Sequence, residues 1–227
     1  MTDFFEPPVP APEPPPVRHK VPPWFAPPTG SLPGVVALDL VLARTERAAV
    51  CVTPLEAYPS GFALELVTMV SQDLDELDPL LFEGRRMRHR RSAGQAAIPD
   101  EMLRFGVEFA DGRKATNTAD EPLANLEGGS MHRSVAVEAY GAPPGPVLQA
   151  GGGGGGGGNW KQSIWIWPLP PPGRLTFVCQ WPAAGIELTR HEIEAQLLLD
   201  AAKHAQVIFA DDDLPDALGP EQPLVID

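Results

Sequence analysis

The segment QSIWIWPLPPPGRLTFVCQW, residues 162–181, carries two strand patterns joined by a proline-rich turn. Its first part, residues 162–169, is apolar on both faces, which is typical of a strand in the middle of a packed structure. After the turn at residues 170–173, four apolar residues alternate onto one face: Leu175, Phe177, Cys179 and Trp181. The segment therefore predicts two core strands.

Similar patterns occur on both sides of this segment. Period-two alternation or short apolar runs predict further strands at residues 35–42, 48–53, 62–70, 103–109, 113–117, 134–140 and 207–209. Asp111 and Gly112 lie between two of them, and Asp-Gly is a strong signal for a type I′ hairpin turn. Many short strands with Gly- and Pro-rich turns favour a mainly β fold, either a two-sheet β-sandwich or an open barrel.

One helix is expected near the C-terminus. Thr189 and Glu192 have the spacing of a capping box, and Ile193, Leu197 and Ala201 follow at four-residue intervals. This pattern predicts an amphipathic helix over about residues 190–205, laid against the β-domain.

Proline and glycine divide the chain of 227 residues, which contains 28 Pro and 22 Gly. Twelve of the prolines lie between residues 7 and 33, so residues 1–34 are expected to form an extended arm without helix or interior strand. The arm is either a spacer or a ligand for an aromatic groove in another protein. Trp24 and Phe25 are expected to mark where it touches the domain, and they are also candidate partner contacts. Residues 35–210 then form the β-domain, followed by an acidic tail at 211–227 that is expected to be disordered.

The net charge of −13 limits the classes of partner. A strongly acidic chain repels nucleic acid and anionic lipid at long range, so bulk DNA binding is not expected. The sequence contains no run of 18 apolar residues, so no membrane-spanning helix is expected. The acidic N-terminus also lacks the basic region of a signal peptide. Cys51 and Cys179 lie in apolar runs without metal-ligand spacing and are expected to be buried. These features together predict a cytoplasmic protein.

A long charged loop is expected at residues 71–102, between two confident strands. It contains acids followed by five arginines within seven residues: Arg85, Arg86, Arg88, Arg90 and Arg91. This cluster is either neutralised by acids of the same chain or binds an anionic partner such as RNA, a phosphorylated protein or a lipid head group. The five arginines are therefore candidate partner contacts.

Eight consecutive glycines at residues 151–158 superficially resemble a phosphate-binding loop. A Walker loop continues with Lys and a helix, whereas here Asn159 and Trp160 lead into a strand. The run is therefore expected to be a flexible loop, either a plain linker or a loop whose backbone approaches a partner or ligand closely.

Catalytic and metal-binding patterns come close but are incomplete. Ser130 and His132 fall in GGSMH, which lacks the last glycine of a nucleophile elbow. His191 begins HEIEA, which lacks the second histidine of a zinc protease motif. The tryptophans at 160, 165, 167 and 181 are either core residues or a stacking platform for sugars or bases. No catalytic, cofactor-binding or metal-ligating residues are assigned, and no cofactor is expected.

Three segments, LRFGVEFADGRKATN, the glycine run before Trp160 and IWIWPLPPPGRLTFVCQWPAAGIELTR, together carry a resemblance. They resemble an uncharacterised family of β-rich cytoplasmic proteins from high-GC bacteria. The resemblance implies a single domain over most of residues 35–210 and implies no activity, cofactor or site.

Function is predicted from where the unusual residues lie. They lie in loops and ends, which favours a non-enzymatic interaction or accessory module with a protein partner. One alternative is an enzyme or small-ligand carrier with a cleft near Ser130, His132 and the glycine run. Another is a structural subunit of a larger assembly, which would form oligomers that depend on concentration.

Overall fold

The computed structural model describes residues 21–71, 98–119 and 141–210 of the chain. Several expectations lie outside these residues: the arm before residue 21, most of the 71–102 loop with its five arginines, the strand at 134–140, Ser130, His132 and the tail at 211–227.

The described residues form twelve strands in three antiparallel sheets. In chain order they are β1 Ser31–Leu32, β2 Gly34–Val36, β3 Leu40–Arg44, β4 Ala48–Ala57, β5 Phe62–Val70, β6 Arg104–Glu108, β7 Lys114–Thr116, β8 Val147–Gly156, β9 Asn159–Trp167, β10 Arg174–Trp181, β11 Ile186–Glu194 and β12 Gln206–Val207. The large sheet has the order β2-β4-β5-β9-β8, with β3 also paired to β4. The small sheet has the order β11-β10-β6-β7, and β1 pairs with β12.

The large and small sheets share one hydrophobic core. The large sheet contributes residues such as Phe62, Leu66 and Ile164, and the small sheet contributes Phe105 and Phe177. The rings of Phe105 and Phe177 are stacked with centroids 6.5 Å apart. Along strands such as β4, β6 and β10, alternate residues point into this core, as the sequence pattern predicts. The expected mainly β, sandwich-like fold is confirmed.

The helix is shorter than expected and begins later. The capping-box residues Thr189 and Glu192 lie in β11, and the helix α1 spans only Gln196–Ala202. Its buried residues are Leu198, Ala201 and Ala202, whereas Leu197 is 48% exposed. The expected start and the expected buried face were therefore wrong, because pairing of β11 with β10 outweighs the local capping signal.

The turn after β6 is a hairpin, as expected, but of another type. Gly112 has a φ of +84°, while Asp111 does not have a positive φ. The amide of Phe109 donates to the Arg113 carbonyl at 2.8 Å, and that of Gly112 donates to the Phe109 carbonyl at 2.9 Å. This is a three-residue loop with a glycine bulge, because a type I′ turn would need a positive φ at both central residues.

The described end of the N-terminal arm is part of the fold. Trp24 is only 2% exposed and packs against Val147 on the outer face of the large sheet. The Trp165 indole Nε1 donates to the Pro23 carbonyl at 3.0 Å. The expected contact of Trp24 and Phe25 with the domain is therefore present, and strand β1 lies within the region assigned to the arm.

Candidate protein-interaction edge

The glycine run is mostly a strand, not a loop. Gly151–Gly156 continue β8, which pairs with β9 and shifts register between Ala150 and Gly153. The expected loop at 151–158 is therefore wrong for these six residues. Backbone hydrogen bonds to β9 hold the strand, and such bonds need no side chain.

The last two glycines form the turn between β8 and β9. Gly157 and Gly158 have φ values of +60° and +77°, and they separate the paired residues Gly156 and Asn159. Two central residues with positive φ make a type I′ hairpin turn. The amide of Val70 donates to the Gly158 carbonyl at 2.7 Å, so β5 anchors this turn.

Only part of the run needs glycine in order to fold. A Cβ at Gly153 would lie 2.6 Å from the Gln162 side-chain oxygen, and one at Gly155 would overlap the Asn159 carbonyl oxygen. A Cβ at residues 152, 154 or 156 would meet nothing within 4 Å. Glycine at these three positions is not explained by packing within the described chain.

Strand β8 has a strand partner on one side only among the described residues. Strand β7 comes near it, but Val147 and Gln149 are buried while every glycine from 151 to 157 is exposed. Residues 151–156, which we call the glycine half of β8, are therefore the open part of this edge.

The ladder shows which backbone groups face outward. In a two-residue hairpin the flanking residues, here Gly156 and Asn159, form a hydrogen-bonded pair. Hydrogen-bonded and non-hydrogen-bonded pairs alternate along an antiparallel ladder. Gly153 and Gly155 therefore direct both N–H and C=O away from β9, where an added strand can bind them.

The other described sheet edges are shorter or carry charge. Strands β2 and β7 have three residues each. Strand β11 carries exposed ionic residues at 187, 190, 192 and 194, and its His191 Nε2 lies 2.7 Å from the Leu42 carbonyl oxygen of β3. Short and charged edges resist pairing with other chains. The glycine half of β8 has neither protection.

Two side chains of β9 flank this edge on opposite faces. Trp160, opposite Gly155, is half-buried and points to the face of the sheet that also carries Gln162. Lys161, opposite Gly154, is on the other face and donates to Glu65 Oε1 at 3.0 Å. Side chains of an added strand can reach both residues across the glycines.

The predicted aromatic contacts have structural roles. Trp24 is buried, while Phe25 is half-buried and packs edge-on against it with centroids 6.2 Å apart. Their role as partner contacts stays a prediction. Trp181 is fully buried in the core, and Trp165 is 4% exposed beneath Tyr58 and the arm. These two tryptophans therefore offer no open stacking platform.

The two cysteines are unpaired. Cys179 is buried and Cys51 is half-buried, and both are free thiols. Burial raises the pKa of each thiol above its ordinary value, which favours the protonated form.

No match to this chain is found among known protein families, curated proteins or solved structures. The resemblance to a family from high-GC bacteria therefore stays a prediction. Within residues 21–71, 98–119 and 141–210, no helix is long and apolar enough to cross a membrane. The same residues contain no group of three or more His, Cys, Asp or Glu side chains that could hold a metal ion.

Proposed function

We propose that this protein is a non-enzymatic interaction module that binds an extended segment of a partner protein by strand addition along the glycine half of β8. The observation that carries the proposal is an exposed edge strand without side chains, charges or prolines. Long unprotected edges are sites where another chain adds a strand.

The net charge favours a partner protein of another kind over a second copy of this chain. Each copy carries −13, so two copies repel each other as they approach. A neutral or basic segment meets no such barrier. We therefore expect the partner to be a protein of another kind, contributing a segment with lysine or arginine.

The geometry also limits the partner's sequence. Proline lacks the N–H that the outward carbonyls of Gly153 and Gly155 accept, so the segment should be free of proline. Its residues on the Trp160 side should be apolar, because the glycines leave that indole accessible to side chains crossing the edge. Affinity then comes from main-chain bonds and specificity from alternate side chains.

Two further parts of the proposal extend the contact and place the protein. The five arginines within residues 85–91 would form a second contact, with an acidic part of the same partner that lies outside the bound segment. A cytoplasmic location is supported by the two free thiols, since paired cysteines are typical of oxidising compartments. For the alternative of a cleft beside a glycine loop, the described residues offer no support, because residues 151–156 form a strand.

Photo-crosslinking in the native host tests the proposal. A photoreactive phenylalanine analogue replaces Gly154, whose Cβ position is open, or Val35, which is 62% exposed, as the control. We expect Gly154 alone to cross-link to a proline-free partner segment, identified by mass spectrometry. A synthetic peptide of that sequence should then slow amide hydrogen exchange at Gly153 and Gly155.

Edge variants provide the matched control. Gly152→Lys, Gly154→Lys and Gly156→Lys combined place charge along the edge without a clash and should abolish peptide binding. The same three positions changed to Thr should fold and still bind. The proposal is overturned if residue 154 cross-links no more than residue 35, if it cross-links only to a second copy, or if both triple variants bind alike.

A further inference from the structure

A separate hollow lies on the outer face of the small sheet. Its volume is about 190 Å³, and its floor is formed by Gly106 of β6 and Val178 of β10, which are paired neighbours. Leu188 of β11, which is 56% exposed, and Thr116 of β7 also line it from opposite edges of the sheet. The hollow is on a different sheet from β8 and has no role in strand addition.

Close strand packing explains the hollow. A Cβ at Gly106 would lie 2.7 Å from the Ala115 carbonyl oxygen and 2.8 Å from Thr116 Cγ2. Residue 106 must therefore lack a side chain, and the sheet face has a depression where other residues would project.

One wall of the hollow carries more positive than negative charge. Glu108 Oε2 accepts from Arg190 Nη1 at 2.8 Å, and Glu108 Oε1 lies 3.7 Å from Lys114 Nζ. Two cations therefore share one carboxylate. The hydrogen bond from Arg190 is the main reason that the pKa of Glu108 lies below its ordinary value, so this carboxylate is charged at neutral pH.

The opposite wall is held in place by its own contacts. Arg104 donates through Nη1 to Gln180 Oε1 at 2.9 Å and through Nη2 to Asp100 Oδ1 at 3.1 Å and the Ile98 carbonyl at 3.2 Å. Its guanidinium is therefore fixed, with Asp100 offsetting its charge. Among the described residues that line the hollow, the positive charge that no carboxylate offsets lies at Arg190 and Lys114.

We propose that this hollow binds a small organic anion, with its apolar body on Gly106, Val178 and Leu188 and its carboxylate against Arg190 and Lys114. A guanidinium has five N–H donors and an ammonium has three, so both have donors beyond those directed at Glu108. The volume is below the roughly 300 Å³ of pockets for drug-sized ligands, which limits the ligand to about the size of one aromatic ring with its acid group.

Benzoate is the probe for this site. Titration into ¹⁵N-labelled full-length protein should shift the amide signals of Gly106 and Val178, with a Kd of about 10 mM for so small a ligand. Benzamide has the same shape without the charge, and inorganic phosphate has charge without an apolar body. Both should bind at least about fivefold more weakly than benzoate.

Variants separate the site from general charge effects. Arg190→Gln should weaken benzoate binding about threefold or more. Arg174→Gln is the matched control, because Arg174 is on the same sheet and pairs with Glu192 at 3.1 Å, but does not line the hollow. Both side chains are exposed, so both variants should fold, which an unchanged amide spectrum elsewhere verifies.

Four results would overturn the proposal: no benzoate-dependent shift at Gly106 and Val178, equal binding of benzamide, equal binding of phosphate, or equal weakening by the two arginine variants. None of these measurements involves β8, so their outcome is independent of the strand-addition proposal.

Discussion

Within the glycine run, neighbouring residues have different physical reasons for being glycine. Gly155 faces Asn159 so closely that a side chain cannot fit, whereas Gly154 has open space where a Cβ would lie. Folding therefore constrains the first and not the second. Glycine at an open strand position costs stability, so its presence there is consistent with binding at the edge.

Single alanine substitutions should separate the two cases. Gly155→Ala should lower the free energy of unfolding by about 1–3 kcal/mol, because the added methyl overlaps the backbone of β9. Gly154→Ala should raise it by about 0.5 kcal/mol, because alanine loses less entropy on folding. Urea unfolding measures both changes in free energy, provided that the m-value is unchanged. Equal effects of the two substitutions would contradict the view that folding requires glycine at residue 155 but not at residue 154.

The carboxylate of Glu108 should make stability depend on pH. Arg190 lowers its pKa in the folded state from the ordinary value of 4.5, so the folded protein binds this proton less readily than the unfolded chain. The resulting stabilisation is present above about pH 4.5 and is lost as the pH falls through the folded-state pKa. Urea unfolding between pH 6 and pH 3 should show a smaller acid-dependent loss for Glu108→Gln than for the native protein. Glu187→Gln, an exposed change on β11 that does not line the hollow, should leave the loss unchanged.

Where local sequence signals are compatible with both a helix and a strand, pairing with a neighbouring strand decides which one forms. The pattern of residues 103–109 and 175–181 predicts their strands correctly, because each alternates between core and surface. Residues 189–194 carry both a capping signal and an alternation of half-buried Thr189, His191 and Ile193 with exposed neighbours. Attention to that alternation would have identified β11. The capping signal is local, whereas the strand depends on β10.

The candidate edge was harder to predict from the sequence than the core strands. Glycine has low strand propensity, so eight in a row indicate a loop unless a neighbour supplies hydrogen bonds. The signal for a hairpin was Asn159 and the strand that follows it, with glycines available for a positive φ. That β8 lies at an edge, and that its partner is β9, depends on the order of strands in the sheet. The hollow at Gly106 likewise depends on the pairing of β6 with β7.

The end of the arm should stabilise the fold by packing Trp24 on the outer face of the large sheet. Trp24→Ala removes the buried indole over Val147 and should destabilise the protein by on the order of 3 kcal/mol. It should also shift tryptophan fluorescence to longer wavelength, because Trp165 beneath the arm becomes hydrated. Val21→Ala, at a residue 40% exposed, is the control and should change stability by less than about 0.5 kcal/mol. A Trp24→Ala variant with an unchanged free energy of unfolding would show that this contact contributes little to stability.

For the whole molecule, an acidic body is combined with a neutral open edge. The small and large sheets close over one core, and their other described edges are short or charged. On the strand-addition proposal, the net charge of −13 opposes pairing between the glycine edges of two copies. Charge and edge geometry together would make the module selective for other proteins without any specific contact between copies.

Ionic strength should therefore control self-association. At about 10 mM salt the Debye length is about 30 Å, and the repulsion between copies extends across their full approach. Sedimentation velocity should show a monomer under these conditions. At about 1 M salt the Debye length falls to about 3 Å, and a weak dimer through β8 is expected at high protein concentration.

The triple lysine variant at residues 152, 154 and 156 should stay monomeric at both salt concentrations, because pairing would bring lysines of the two copies close together, and a Debye length of about 3 Å leaves part of their repulsion. The triple threonine variant should dimerise as the native protein does, since threonine favours strand pairing. A dimer that forms at low salt and persists in the lysine variant would place the self-contact elsewhere and favour a structural subunit. A monomer at both salt concentrations for every variant would show that edge pairing between copies is intrinsically too weak to need the charge barrier.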